Sequence, residues 1–457
     1  MNFNQIHNVY FIGVGGIGMS ALARYFLAQG MKVFGYDKTR THLTTELESK
    51  GIEIHYEDRG IKVLDDFSHR DTLVIYTPAV PSAMGELKAF EEHGFNVIKR
   101  AKALGIISEQ FETFAVAGTH GKTTTSTILA HVLNQTPEKC NAFVGGIASN
   151  YQSNCIINEG SERVVVEADE FDRSFLQLKP DYAILTSIDA DHLDIYGDDQ
   201  QMLTSFNDFL NLMKPNGTVV INSKIDWINF NFTTNLRIVT YGVEGDSDWR
   251  LHALKYEDGH FYFDILSRSD IYRNIEFGLP GQHNAENATA VFALCIGLGI
   301  EEHLIRSAFK SFKGVERRFD IKIKRKDLVL IDDYAHHPTE IEAFLRSVQK
   351  LYPHRKITTI FQPHLFSRTR DFMEAFAEAL SLSDDLILLP IYPAREEPIA
   401  GITSETLLDM VSLDEKMIST PDTIIQDVEG MKPDIICTLG AGDIADIVTP
   451  LKNHFDK

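Results

Sequence analysis

Two glycine-rich turns constrain this chain more than any other feature, because each follows an apolar strand and opens a helix. The first, in "FIGVGGIGMSALA", spells Gly13-x-Gly15-x-x-Gly18; the second, in "AVAGTHGKTTT", carries Gly118, Gly121, Lys122 and Thr123. A strand that ends where a helix begins is the repeating unit of parallel α/β layers. Free N–H groups at such a helix start hold phosphate oxygens, and the helix dipole favours their charge. Taken alone, the first turn fits a nicotinamide-dinucleotide fingerprint, with Asp37 standing 19 positions beyond Gly18 where an acid would hold a ribose. A lone pattern of this kind is weak, since the same backbone chemistry carries other diphosphates. Two phosphate-binding loops in one chain imply two phosphate-bearing ligands.

At 457 residues the chain is too long for one core, and strand-like and helix-like runs alternate along it. The pattern restarts after residue 105 and again after "FKGVERRFD", which predicts α/β domains over 1–105, 106–313 and 314–457. The first is expected to be Rossmann-like, the second a P-loop ATPase-type domain, and the third a doubly wound domain of four strand–helix repeats. Between Leu251 and Glu276, "LHALKYEDGHFYFDIL" predicts a hairpin about Asp258-Gly259. Net charge is −21, from 44 Lys+Arg against 65 Asp+Glu, which argues against binding nucleic acid or an anionic membrane. The four cysteines, Cys140, Cys155, Cys295 and Cys437, are widely spaced and expected to be reduced thiols. The N-terminus has no basic leader, and the longest apolar run, 288–300, is too short to span a bilayer. A cytoplasmic protein is expected, monomer or homodimer.

Chemistry-bearing residues cluster at strand ends. In the second glycine loop, Lys122 supplies a point charge for outer phosphates and the Thr123 hydroxyl is suited to Mg²⁺. The full phosphate-loop pattern would set its first glycine at position 116, which is Val116, so the match is partial. "VVVEADEFDRSF" ends a strand with Glu167, Asp169, Glu170 and Asp172; "SIDADHLDIYG" ends the next with Asp189, Asp191, His192 and Asp194. Carboxylate and imidazole beside a phosphate loop suit a metal bridging phosphates. "PGQHNAENATA" brings His283, Asn284 and Asn287 to a helix start, where an amide either caps the helix or reads an adenine edge. "GVERRFD" sets Arg317 and Arg318 at the second domain boundary, placed to meet charge on a transferred phosphoryl group. "DDYAHHPTEI" clusters Asp332, Asp333, Tyr334, His336 and His337, and "FQPHLFSRTRD" adds His364, Arg368 and Arg370.

In this order, these motifs resemble the ATP-dependent muramyl ligases over essentially the full length. The resemblance implies that the first loop carries the diphosphate of a UDP-sugar instead of NAD, through Gly13, Gly15, Gly16, Ile17 and Gly18 with Asp37 and Thr77. It implies ATP on Gly118, Thr119, His120, Gly121, Lys122, Thr123 and Thr124, with His283, Asn284, Asn287 and Arg317. Mg²⁺ would be held by Thr123, Glu167 and His192. Lys122, Glu170, His192, Arg318, His337 and Arg368 would be catalytic, and Tyr334, His336, His337 and Arg368 would meet the amino acid. The implied reaction phosphorylates the lactyl carboxylate of UDP-N-acetylmuramate and couples it to L-alanine. Several siblings carry a carbamylated lysine where this chain has Asn207, an absence that fits the alanine-adding branch. Many alanine-adding members have arginine where Leu365 stands, and Ala335 is often glycine. Three readings stay open beside this one: a ligase that joins the same sugar to a tripeptide, an NAD-dependent oxidoreductase, and a non-catalytic ATP-binding regulator.

Overall fold

Runs such as Val9–Ile12 and Phe114–Ala117 are solvent-free on both faces, the condition of a parallel strand covered by helices on either side. The computed structural model describes residues 5–189, 199–257, 260–394 and 396–456. Three sheets are built from them. The first contains β1 (Asn8–Ile12), β2 (Lys32–Tyr36), β3 (Glu53–His55), β4 (Thr72–Tyr76) and β5 (Asn96–Lys99), all parallel, in the order β3-β2-β1-β4-β5. The chain reverses its direction of progress between β1 and β4, so the loops leaving them part and open a crevice at the carboxyl edge.

The second sheet holds β6 (Glu112–Ala117), β7 (Asn141–Ala148), β8 (Ser153–Ile156), β9 (Arg163–Glu167), β10 (Tyr182–Leu185), β11 (Thr218–Asn222) and β12 (Arg237–Gly242). It continues through β13 (Trp249–Glu257), β14 (His260–Ser267) and β15 (Ile271–Phe277), in the order β15-β14-β13-β12-β11-β10-β6-β9-β7-β8. The turn expected at Asp258-Gly259 lies outside the described residues; β13 and β14 flank it. β6 is central and parallel to both β10 and β9, so the loops after all three emerge side by side. The third sheet has β16 (Asp320–Lys324), β17 (Val329–Asp333), β18 (Ile357–Phe361), β19 (Asp385–Leu388), β20 (Glu415–Ile418) and β21 (Ile435–Leu439), in the order β16-β17-β21-β18-β19-β20. Four of these are the expected strand–helix repeats. β16, antiparallel to β17, and β20 are additions at the two edges, where partly exposed sequences give little periodic signal.

By contact density the chain forms two compact units: 1–253 with 262–276 and 286–313, and 254–261 with 277–285 and 314–457. The first sheet and strands β6–β12 of the second lie in the first unit. Their junction is the helix Ile17–Ala28, whose residues Met19–Phe26 are all buried because it packs on β2 and also on β7 and β8. A polar knot fixes that junction. Arg24 donates to Asn154 Oδ1 and, at 2.8 Å, to Glu46, while Asn154 donates to Ile17 O and, at 3.0 Å, to Ser20 Oγ. Every polar atom of the Asn154 amide is thereby matched inside an apolar interface, which such burial requires. All four cysteines are buried and unpaired by disulfides. Among the described residues no helix is long and apolar enough to cross a membrane.

The helix Lys122–Leu133 runs from the second glycine loop, with Thr123–Leu133 buried. Near its far end His131 touches Tyr151 Oη at 2.9 Å and Ser311 Oγ at 3.0 Å, and burial pushes its pKa down to about 4. Between that value and the ordinary ~6.5 the unfolded chain takes up a proton that the folded chain refuses, so stability falls as pH drops through this window. The loss attributable to His131 should reach about 3 kcal/mol at its acid end. In urea denaturation the gap between wild type and His131→Gln should therefore shrink from pH 7 to pH 4.5. A gap that holds constant or widens would show that His131 is not buried as the neutral base.

Candidate active site

The loop after β6 turns on two glycines held at φ +133° (Gly118) and +79° (Gly121). A Cβ on Gly118 would lie 2.1 Å from Thr186 Oγ1 and 2.8 Å from Ser187 N, so no side chain fits there. Gly121 caps the helix, and the N–H groups of Lys122, Thr123 and Thr124 in its first turn have no carbonyl to bond within the helix. The neighbouring strand locks the loop. Thr119 Oγ1 lies 2.8 Å from Ser187 Oγ, His120 N donates to Ser187 Oγ at 3.0 Å, and Thr186 Oγ1 donates to His120 O at 2.5 Å. The result is a rigid set of donors aimed outward from a helix start.

Lys122 folds back into this turn. Its Nζ donates to Gly118 O at 2.7 Å, Thr119 O at 3.1 Å and Glu170 Oε1 at 2.8 Å. The lysine side chain is 14% exposed and the Glu170 side chain 1%. Burial alone would lower the lysine pKa, but Glu170, Asp169 and Glu167 together raise it, so the ammonium stays charged. Burial pushes Glu170 up to about 7, with Lys122 opposing the shift. Glu167, raised by burial, accepts from Thr123 Oγ1 at 3.0 Å and from Gly145 N at 2.7 Å.

Thr123 and Glu167 therefore present hard oxygens at one point beside the loop. Among the described residues no group of three or more His, Cys, Asp or Glu could hold a metal ion by itself. Mg²⁺ fits such a sparse oxygen set, because it is commonly bound by one or two carboxylates, with phosphates and water completing the octahedron. His192 and the acids Asp191 and Asp194 lie outside the described residues. His120 Nε2 stands 3.5 Å from Asp189 Oδ2. Asn287 brings its amide to Gly121, 3.0–3.2 Å from where a Cβ would sit, which places it at the loop's cap. Asn284, by contrast, donates to Pro280 O at 2.6 Å and closes its own turn.

In the first sheet, Gly13, Gly15, Gly16, Ile17 and Gly18 follow β1, and Gly16 caps the next helix. Asp37, just beyond β2, turns onto this loop and accepts from Gly15 N at 2.8 Å and from Thr39 N at 3.1 Å. Thr77, just beyond β4, packs its methyl against Gly13. All the residues expected to hold a diphosphate thus share one carboxyl edge.

The third sheet gathers its own group by itself, where β17, β21 and β18 lie side by side. Asp333 accepts from Phe319 N at 2.6 Å and Ala335 N at 2.8 Å, and burial raises its pKa to about 6. This staple ties "RRF" to "DDYA". Arg317 donates to Asp332 at 3.2 Å and to Gly440 O at 2.6 Å. The Tyr334 ring lies under both guanidinium groups, 5.3 Å from Arg317 and 4.9 Å from Arg318. His336 sits 3.4 Å from Glu340 and 6.0 Å, ring to ring, from His364. His337 is buried edge-on to Phe372, at the start of the helix Pro338–Leu351. Arg368 is buried on the helix Phe366–Asp371. His283, in the same unit, is pushed down to about 4 chiefly by burial. Leu365, at the departure from the expected arginine, holds φ +70° and ψ +135°, a region that branched residues seldom occupy.

Residues 8–112, 116–295 and 317–442 match, in turn, the Mur ligase family catalytic domain, the Mur ligase middle domain and the Mur ligase glutamate ligase domain. The chain belongs to the Mur ligase family. It is 48% identical over 457 residues to a UDP-N-acetylmuramate–L-alanine ligase of Flavobacterium johnsoniae, covering 100% of both chains. It is 45% identical to one of Cytophaga hutchinsonii, covering 99% of this chain and 97% of that protein. The crystal structure of the UDP-N-acetylmuramate–alanine ligase of Thermotoga maritima superposes with a TM-score of 0.83 at 28% identity, covering 98% of this chain and 99% of that one. The α/β architecture expected from the glycine loops is the three-domain Mur ligase architecture.

Some contributors escaped the sequence reading. Thr186 and Ser187, which fix the Gly118–Thr124 loop, stand just after β10, and Gly145 donates a backbone N–H to Glu167 from β7. The only signal for the first pair was their place at a strand end. Because Gly118 is boxed in by Thr186 and Ser187, Gly118→Ala in this Mur ligase should weaken binding of ATP by about 10- to 100-fold in calorimetric titration. Wild-type affinity in that variant would contradict the loop geometry.

Proposed function

We propose that this Mur ligase joins L-alanine to the lactyl carboxylate of UDP-N-acetylmuramate, using ATP, in the synthesis of peptidoglycan precursors. The observation that carries the proposal is the full-length likeness to ligases of that name, at 45% and 48% identity. Two glycine loops on two sheets of one unit support it, since a UDP-linked substrate and ATP each need a phosphate site. The domains are taken as 1–105 for the UDP-sugar, 106–313 for ATP and 314–457 for the amino acid, in an enzyme acting in the cytoplasm.

A carboxylate is a poor acyl donor because oxide cannot leave. Its oxygen attacks the terminal phosphorus of ATP, the bridging P–O bond breaks, and ADP departs. The amine of L-alanine then attacks the acyl phosphate carbonyl, loses a proton, and expels inorganic phosphate as the amide C–N bond forms. Lys122 neutralises charge gathered between two anions that otherwise repel, and the N–H groups of the 118–124 loop hold the phosphates in place. Glu170 and two loop carbonyls hold that ammonium in place. Mg²⁺, held by Thr123 and Glu167 with His192, would supply further charge neutralisation on the phosphates. In this reading Arg317 meets ATP, Arg318 meets the transferred phosphoryl group, and Tyr334, His336, His337 and Arg368 meet the amino acid.

ADP and phosphate should appear only when ATP, Mg²⁺, UDP-N-acetylmuramate and an amino acid are present together. L-Alanine should be the best amino acid, with L-serine and glycine weaker. Lys122→Ala should abolish turnover while binding of the UDP-linked substrate stays nearly intact. A phosphate-release assay that favours a tripeptide over L-alanine, or that runs without any amino acid, would contradict the assignment.

A further inference from the structure

Arg100 links the two loops in a way no motif announced. It begins the helix Arg100–Ser108 directly after β5, and β5 lies beside β4, which lies beside β1. Its side chain therefore leaves the sheet at the same carboxyl edge as Gly13–Gly18 and Thr77. A Cβ at Gly18 would lie 2.7 Å from Arg100 Nη1, 3.1 Å from Cδ and 3.3 Å from Cζ. The guanidinium thus occupies space beside the third glycine of the turn that glycine alone leaves open. Its other nitrogen, Nη2, is 3.4 Å from Asp169 Oδ2. Asp169 stands on the strand end that also carries Glu167 and Glu170.

The ion pair to Asp169 is slack. Well-formed pairs of this kind close to about 2.7–2.9 Å, and Asp169 already accepts from Phe171 N at 3.0 Å through its other oxygen. The surroundings are cationic in a chain whose net charge is −21. Lys99, Lys102 and Arg173 line, with Arg100, a cavity of about 260 Å³. Asp172 is the acid in that lining and stands 3.5 Å from Lys99. A planar fork of donors beside a glycine turn, weakly held by a carboxylate, is suited to bidentate capture of a phosphate.

We propose that Arg100 is a substrate-binding residue, its guanidinium exchanging the slack contact with Asp169 for the diphosphate of the UDP-linked substrate on the Gly13–Gly18 turn. The proposal rests on the functional reading above and adds to it the cation that the turn itself lacks. Backbone N–H groups fix where the diphosphate lies, and Arg100 neutralises it from the side facing the ATP loop. A purely structural Arg100, bracing Asp169, would affect ATP and UDP ligands alike.

Calorimetric titration of the full chain separates these cases, with UDP, UDP-N-acetylmuramate and ATP as probes. Arg100→Met should weaken UDP and UDP-N-acetylmuramate together by about 10- to 100-fold and leave ATP affinity unchanged. Arg100→Lys, which keeps the charge but not the fork, should fall between. Unchanged UDP affinity in Arg100→Met, or an equal loss for ATP, would overturn the proposal. Failure of the wild-type protein to bind either UDP ligand would instead overturn the functional reading and Arg100's role with it.

Discussion

A charged amine held out of water by its own loop governs the candidate site. Left unpaired at that depth, the Lys122 ammonium would cost several kcal/mol. Glu170 and the carbonyls of Gly118 and Thr119 meet that cost. Because the ammonium is already dehydrated, its attraction for an incoming triphosphate is little screened. The same burial pushes the Glu170 carboxyl up, and the Lys122 ammonium opposes that shift. The strand order of the second sheet makes this possible, since Glu170 follows β9 and Thr186 and Ser187 follow β10, on either side of β6.

A second consequence of strand order appears in the first sheet. Its reversal between β1 and β4 puts the Gly13–Gly18 turn, Thr77 and Arg100 along one edge. The Ile17–Ala28 helix that begins at that turn is clamped to β8 by Asn154. The Gly13–Gly18 turn is consequently fixed to the sheet that carries the Gly118–Thr124 loop. In a reaction between two anions, holding the sites for both on one scaffold removes much of the cost of bringing them together.

What the sequence disclosed follows from the range of each interaction. Both glycine turns were legible, because strand, turn and helix are consecutive and glycine marks positive φ or close approach. Glu167 and Glu170 were legible for the same reason, as acids ending an apolar run. Ser187, Asn154 and Arg100 were not, since each meets its partner across many residues and no local spacing records it. Asn287 shows the intermediate case. Its place at a helix start suggested a cap or an adenine contact, and nothing local announced that its amide faces Gly121. β16 and β20 were missed because edge strands, half exposed, need no continuous apolar run.

The central claim is that phosphate leaves carrying an oxygen that began in the sugar's carboxyl group. UDP-N-acetylmuramate labelled with oxygen-18 in its lactyl carboxylate, turned over with ATP and L-alanine, tests it directly by mass spectrometry of the products. The account predicts one labelled oxygen in each molecule of inorganic phosphate and none in ADP. Phosphate free of label would contradict it.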